Sequence, residues 1–168
     1  MPSRPLKAAV AVAIAGAFCL TATPAQAAPD PEDLWLDLTP TYTSTAIYAY
    51  EPWAPEEGGY ARTDECVPEM GYHYVNPEYL GSLDPTTPAA LLYEGGADRG
   101  ARRLVAVEWV VPDTGQATAP ELFGETFYKD TTLKAYTLHA WIHKDNPDGL
   151  FTAFNPEVKC PVQPTPTG

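Results

Sequence analysis

Turn residues recur along this chain so often that little room is left between them for anything longer than a strand. Asn76-Pro77, residues 84–88, Gly95-Gly96, Pro112-Asp113-Thr114-Gly115, Asn146-Pro147-Asp148-Gly149 and Asn155-Pro156 each interrupt the pattern. Proline fixes φ at such places and glycine accepts positive φ. The pieces between them, residues 70–75, 89–94, 102–111, 134–144 and 150–154, are short, apolar and rich in β-branched or aromatic side chains. That composition suits strands. Residues 122–128 read as a further short strand or as irregular chain, and Gly95 to Gly100 reads as the connection of an antiparallel hairpin. Strands at this spacing, with no long helical periodicity and no internal repeat, predict a mainly β fold: a compact antiparallel β-barrel or sandwich.

One stretch resists that reading. Residues 38–50 are β-branched and aromatic, which favours strand, yet Thr39-Pro40 has the form of a helix start with Thr39 as N-cap and Pro40 at the first helical position. A short N-terminal helix is the expectation adopted. Residues 51–59 carry two prolines and two glycines and read as loop.

The N-terminus has the form of a signal peptide. Arg4 and Lys7 supply a basic region, residues 8–20 an apolar core, and Ala25-Gln26-Ala27 a small-x-small cleavage site. Residues 1–27 are therefore expected to be removed, leaving a single β domain over residues 28–160, frayed across 28–35, and a disordered tail over 161–168. The apolar core is too short for a comfortable membrane span. Cys19 follows Phe18, whereas lipidation at such a position needs a small residue before it. A secreted protein without a membrane anchor is expected.

Loss of the leader leaves 8 basic residues against 22 acidic ones. A strongly negative chain repels phosphate backbones and anionic lipid, so neither nucleic acid nor a membrane surface is expected as a partner. The charge also attracts cations and keeps an exported protein soluble. Cys66 and Cys160 remain after cleavage. In an exported chain such a pair reads as one disulfide; free or metal-ligating thiols are the alternative, without C-x-x-C spacing to favour them.

The chemistry-bearing residues concentrate in the strand-like segments. All three histidines lie there: His73 in Gly-Tyr-His-Tyr-Val, and His139 and His143 in Leu-His-Ala-Trp-Ile-His. Between them Glu108 sits at the centre of Leu-Val-Ala-Val-Glu-Trp-Val-Val. Strand alternation puts Glu108 with Leu104, Ala106 and Val110, and His139 with Thr137, Trp141 and His143. His139 and His143 then stand about 13 Å apart along one strand, too far for one ion, and His143 is expected to point to water beside Lys144 and Asp145. A carboxylate among apolar neighbours is costly unless paired or ligating. Glu108 on an interior face needs a partner; on an outer face it is simply solvated. Two imidazoles and a carboxylate form a common donor set for Zn²⁺, Cu²⁺ or Fe²⁺. The bland alternative is histidines bonded to backbone carbonyls. His73, Glu108 and His139 are the candidate ligands of a divalent transition metal (Zn, Cu or Fe), with Tyr74 and Trp141 expected to shape the pocket.

Other chemistry has less behind it. No G-x-S-x-G elbow or glycine-rich phosphate loop occurs, and Ser44 and Ser82 lack a marked base nearby. Glu94 and Glu108 are candidates for a paired-carboxylate glycosidase site on abundance alone. Trp109, Trp141, Phe151 and Phe154 serve either a core or a sugar-binding platform. A non-catalytic extracellular module that binds a small molecule or glycan polymer is the rival function, and a purely structural secreted domain is a third.

From Cys66 to Cys160 the chain resembles a family of small secreted bacterial proteins whose activity is uncharacterised. The resemblance rests on Met70-Gly-Tyr-His-Tyr-Val-Asn-Pro, Leu91-Leu-Tyr-Glu, Leu104-Val-Ala-Val-Glu-Trp, Leu122-Phe-Gly, Leu138-His-Ala-Trp and Asn146-Pro-Asp-Gly-Leu-Phe, closing with Asn155-Pro-Glu-Val-Lys-Cys160. It implies that His73, Glu108 and His139 belong to the shared pattern, and that the position of His143 takes an aromatic or basic residue. It implies nothing about a reaction.

Overall fold

The computed structural model describes residues 31–96 and 102–161. The expected leader and nearly all of the expected tail lie outside these residues, as does most of the hairpin connection after Gly95. The chain opens with helix α1 (Pro31–Thr45), a 3₁₀ turn (Ala46–Ala49) and the short helix α2 (Trp53–Glu56). The strands follow: β1 (Cys66–Val67), β2 (Gly71–Val75), β3 (Ala90–Gly95), β4 (Arg102–Pro112), β5 (Glu121–Leu122), β6 (Glu125–Thr126), β7 (Tyr128–Asp130) and β8 (Ala135–Ala140). Six of them form one curled antiparallel sheet, a half-barrel, in the order β1-β2-β3-β4-β8-β7; β5 and β6 pair separately. The mainly β antiparallel class read from the sequence is the class adopted.

The helix begins earlier than expected. Glu32 and Asp33 occupy the first turn of α1, where carboxylates favour the positive end of the helix dipole. Pro40 falls inside the helix rather than at its start. Thr39 is not a cap: its hydroxyl donates back to the Trp35 carbonyl at 2.8 Å. Leu38, Thr41 and Thr45 are buried and Leu34 packs against the same core, so the inward face repeats at helical spacing. Residues 31–35, expected to fray, form the first turns of this helix.

The sheet separates two apolar layers. The larger contains Tyr72, Tyr74, Leu91, Tyr93, Leu104, Val107, Trp109 and Leu138 with Leu38 from α1. The smaller, on the opposite face, gathers Ala90, Leu92, Val105, Ala106, Trp141 and Val158. A β-bulge decides which residues of β4 belong to which face. Leu92 pairs with Ala106 and Tyr93 with Leu104, which leaves Val105 as the extra residue. Alternation is therefore broken at Val105. Leu104 turns into the larger layer and does not share the face of Glu108, contrary to the expectation from strict alternation.

Two strand expectations fail near the C-terminus. Strand β8 ends at Ala140, because the Ile142 amide bonds back to the Ala140 carbonyl at 3.0 Å and the chain turns out of the ladder. Residues 150–154 form turns and irregular chain instead of a strand. Residues 141–160 instead run as a strap. The Trp141 amide bonds to the Leu150 carbonyl at 2.9 Å, its indole Nε1 to the Thr152 carbonyl at 2.7 Å, and the Asn155 amide to the Glu69 carbonyl at 2.8 Å. The strap ends in the Cys66–Cys160 disulfide, which joins it to β1.

Candidate metal centre

Four consecutive strands of the sheet, β2, β3, β4 and β8, position the centre. Val75, Ala90, Glu108 and His139 form one cross-strand row; His73, Leu92 and Ala106 form the next. His73 must therefore reach diagonally over β3 to meet Glu108. Strands stand ~4.8 Å apart, so this reach spans roughly 10 Å of sheet. Ala90 and Leu92 of β3 and Ala106 of β4 flank that path, and the two alanines leave room on the side toward Glu108. Sheet curl shortens the distance further.

The side chains meet. His73 Nε2 lies 3.8 Å from Glu108 Oε2, and His139 Nε2 lies 3.6 Å from Glu108 Oε1. One donor atom from each residue falls within 4.8 Å of the other two. The imidazole rings stand nearly perpendicular, with centroids 6.3 Å apart. Glu108 is 5 % exposed and His139 3 %, while the His73 side chain keeps 21 % of its surface in contact with solvent. Among the described residues, His139 Nε2 is one of two buried side-chain polar atoms without a hydrogen-bond partner.

These separations lie within ion-pair range, yet the three groups are held neutral. Burial raises the Glu108 carboxyl from 4.5 to about 8, assisted by the negative charge of Asp130. Burial lowers His139 to about 3, with His73 adding to the effect. Burial also lowers His73, to about 4, and a hydrogen bond with the Gly71 backbone opposes this in part. Because Nε2 of His73 is turned toward Glu108, Nδ1 is the nitrogen left for that bond, a usual way of orienting a ligating imidazole. A protonated acid and two neutral imidazoles are what desolvation alone dictates here. A dication would reverse this by drawing the proton from Glu108.

The geometry fits such an ion with a small closure. A tetrahedral ion at ~2.0–2.1 Å from each donor sets donors roughly 3.4 Å apart. The gaps from the imidazoles to Glu108 are 3.8 and 3.6 Å, each to a different carboxylate oxygen. One nitrogen of each imidazole lies within 4.8 Å of the other, so the pair needs to close by no more than about 1.4 Å, and His73, the most exposed of the three, is the side chain with room to move.

The other sequence candidates fall elsewhere. Trp141 adjoins the centre, its ring stacked on His139 at 6.4 Å between centroids and 12° between planes. Tyr74 does not: it flanks His73 in β2 and so points to the opposite face, where its hydroxyl donates to Glu51 and accepts from Arg102. His143 does not point to water. Past the end of β8 it turns against α1, stacks on Tyr42 at 5.1 Å and places Nε2 2.9 Å from Thr45 Oγ1. Burial lowers its pKa to about 4. Since the Thr45 hydroxyl donates to the Thr41 carbonyl, it accepts from His143. Glu94 is bound to Arg103 and Lys144 at the other end of β3, four residues from the partner of Glu108, so Glu94 and Glu108 do not form a carboxylate pair. Trp109 is core, its indole bonded to the Asp84 carbonyl, and Phe151 packs beside Phe123. Sequence reasoning missed Asp130, whose charge reaches Glu108, and Gly71; neither carries a local signal pointing to the site.

No protein-family model, curated protein or solved structure matches this chain.

Proposed function

We propose that this is a secreted protein that holds one divalent transition-metal ion, zinc, copper or iron, through His73, Glu108 and His139. The observation that carries the reading is the buried, unpartnered Nε2 of His139 aimed at the buried Glu108 carboxyl 3.6 Å away. Leaving a buried polar atom unsatisfied costs about 1–3 kcal/mol, and a metal ion would remove that cost at His139 Nε2. Three protein donors leave a coordination position for water or substrate, so Lewis-acid chemistry is the activity this donor set would support. Export is favoured by the leader-like N-terminus and by the Cys66–Cys160 disulfide. Among the described residues no helix is long and apolar enough to cross a membrane.

The test is elemental analysis of untagged protein exported from a host of its native type, beside His139→Ala. About one equivalent of metal in the parent and none in the variant is the expected result. Absence of metal from both, even after incubation with each ion, overturns the reading.

A second reading, a non-catalytic module for a small ligand or glycan, draws on Trp35, Tyr42, Tyr50 and Trp53, all substantially exposed on the helical side. Trp35 and Tyr42 line a shallow groove with Thr39 and Ile142. Retention on a glycan array in the presence of a chelator favours it.

A further inference from the structure

The face that carries the three candidate ligands is also the face that the C-terminal strap covers. Trp141, the first residue of the strap, stacks on His139. Val158, near its end, is fully buried in the small layer with Ala90, Leu92 and Ala106. Ala90 is the cross-strand partner of Glu108, and Leu92 that of His73. The strap therefore rests on the same two rows of side chains that hold the ligands.

Its attachments are of two kinds. Within residues 141–158 they are hydrogen bonds, apolar contacts and the Lys144–Glu94 ion pair at 2.7 Å. The Asn155 amide donates to the Glu69 carbonyl and the His143 amide to the Val105 carbonyl, while the bonds from Lys144 to the Glu157 carbonyl and from Asn155 Nδ2 to the Asp145 carbonyl hold the strap to itself. Isolated bonds of this type, each worth about 1 kcal/mol, open readily. The far end is covalent: Cys160 is tied to Cys66, whose cross-strand partner in β2 is Tyr72, next to His73. One disulfide thus couples the strap, through β1, to the strand that carries the most exposed of the three ligands.

We infer that the Cys66–Cys160 disulfide is a redox-controlled clasp on the metal centre: while it is intact the strap keeps Trp141 and Val158 closed over the ion, and its reduction releases the strap and speeds metal exchange. The reaction is a two-electron exchange. A dithiol gives two electrons and two protons, the Sγ–Sγ bond becomes two thiols, and the dithiol is oxidised to its own disulfide. The clasp rests on the metal-binding reading above, and the experiment separates the two.

Zinc-loaded full-length protein is mixed with excess of a chromogenic chelator, and release is followed before and after reduction. Excess phosphine reductant followed by alkylation with iodoacetamide keeps the freed thiols from binding the ion. Circular dichroism is recorded on each sample. Acceleration of release by about tenfold or more in folded, reduced protein is expected, as is a smaller acceleration in Val158→Ala with the disulfide intact. Val158→Ala also decides the matter where reduction unfolds the chain. Release at the parent rate from folded reduced protein, or from folded Val158→Ala, overturns the clasp while leaving metal binding in place. Failure of the oxidised parent to load zinc at all overturns the metal-binding reading itself.

Discussion

Glu108 and His139 are direct partners across β4 and β8, and their side chains meet at 3.6 Å with the acid protonated and the imidazole neutral. Two groups that would attract each other when charged are kept uncharged by burial. Metal binding therefore begins with loss of a proton from Glu108, and removal of its charge-bearing capacity should separate the two states cleanly. Glu108→Gln retains shape and neutrality, so the metal-free chain is expected to change in stability by less than about 1 kcal/mol. The stabilisation that zinc gives the parent, about 2.7 kcal/mol at a hundredfold excess over Kd, is expected to vanish. Thermal unfolding of both proteins with zinc and with chelator checks this. A parent-like zinc shift in the variant would remove Glu108 from the site.

The pH dependence of the metal-free chain follows from the same burial. The folded state holds Glu108 protonated between 4.5 and about 8, where the unfolded state has released the proton, so this group makes stability fall as pH rises through that window. For His73 and His139 the sign is opposite. Their pKa values drop from 6.5 to about 4 and about 3, so the unfolded chain binds protons that the folded chain refuses, and stability is lost as pH falls below 6.5. His143, lowered to about 4, adds to the acid limb. Between 4.5 and 6.5 two histidines of the site outweigh one acid, and above 6.5 the acid acts alone. The site thus contributes a stability maximum near pH 6.5. Melting temperatures in chelator across about pH 5 to 8.5 should peak near neutrality, and saturating zinc should abolish the decline on the alkaline side. A metal-free melting temperature that climbs steadily to pH 8.5 contradicts the protonated state of Glu108.

The parts of the fold set by local chemistry were legible before any coordinates. Asn76-Pro77 ends β2, Asp84 to Pro88 form the turn before β3, and Asn146 to Gly149 form a turn, because proline and glycine act on their own backbone. What depends on contacts with distant chain was not. The bulge at Val105 exists only in relation to β3, so the face of Leu104 was misassigned. Residues 141–143 have strand composition, but tertiary bonds to Leu150 and Val105 take them out of the ladder and carry His143 to α1. The start of α1 was hidden because Thr41 and Thr45 occupy its inward face, where apolar residues are the usual signal. Tyr74 is not part of the pocket, because alternation in β2 sets it opposite His73. The convergence of His73, Glu108 and His139 depends on strand order, which no local pattern carries.

Gly71 opens β2 at a point where no other residue fits. Its φ is +95°, and a Cβ there would stand 2.3 Å from the Tyr93 carbonyl oxygen and 3.6 Å from Val158 Cγ1. The neighbour is backbone of β3 and cannot rotate away. Gly71→Ala is expected to destabilise the chain by more than about 2 kcal/mol, combining the positive φ with the displaced strand. Urea unfolding gives the value. A loss under about 1 kcal/mol would mean that β2 can slide without cost, and the diagonal reach of His73 would then lack a fixed base.

Arg102 provides the control on the far side of the sheet. Its Nη1 donates to the Thr63 carbonyl at 2.6 Å and to the Tyr74 hydroxyl at 2.8 Å, and its guanidinium lies 3.3 Å from the centre of the Tyr72 ring. Tyr74 in turn donates to the buried Glu51, which Arg62 also meets at 3.1 Å. A lysine ammonium cannot both stack on Tyr72 and serve two acceptors in the fork geometry of guanidinium. Arg102→Lys is therefore expected to cost about 2–4 kcal/mol, the range for disturbing a buried, hydrogen-bonded charge. The candidate ligands face the other layer, so well below the melting temperature the variant should still load about one equivalent of metal. Chemical unfolding combined with elemental analysis separates the two effects. Parent-like stability would show the Arg102 network to be dispensable, and loss of metal from the folded variant would show that the two faces of the sheet are coupled.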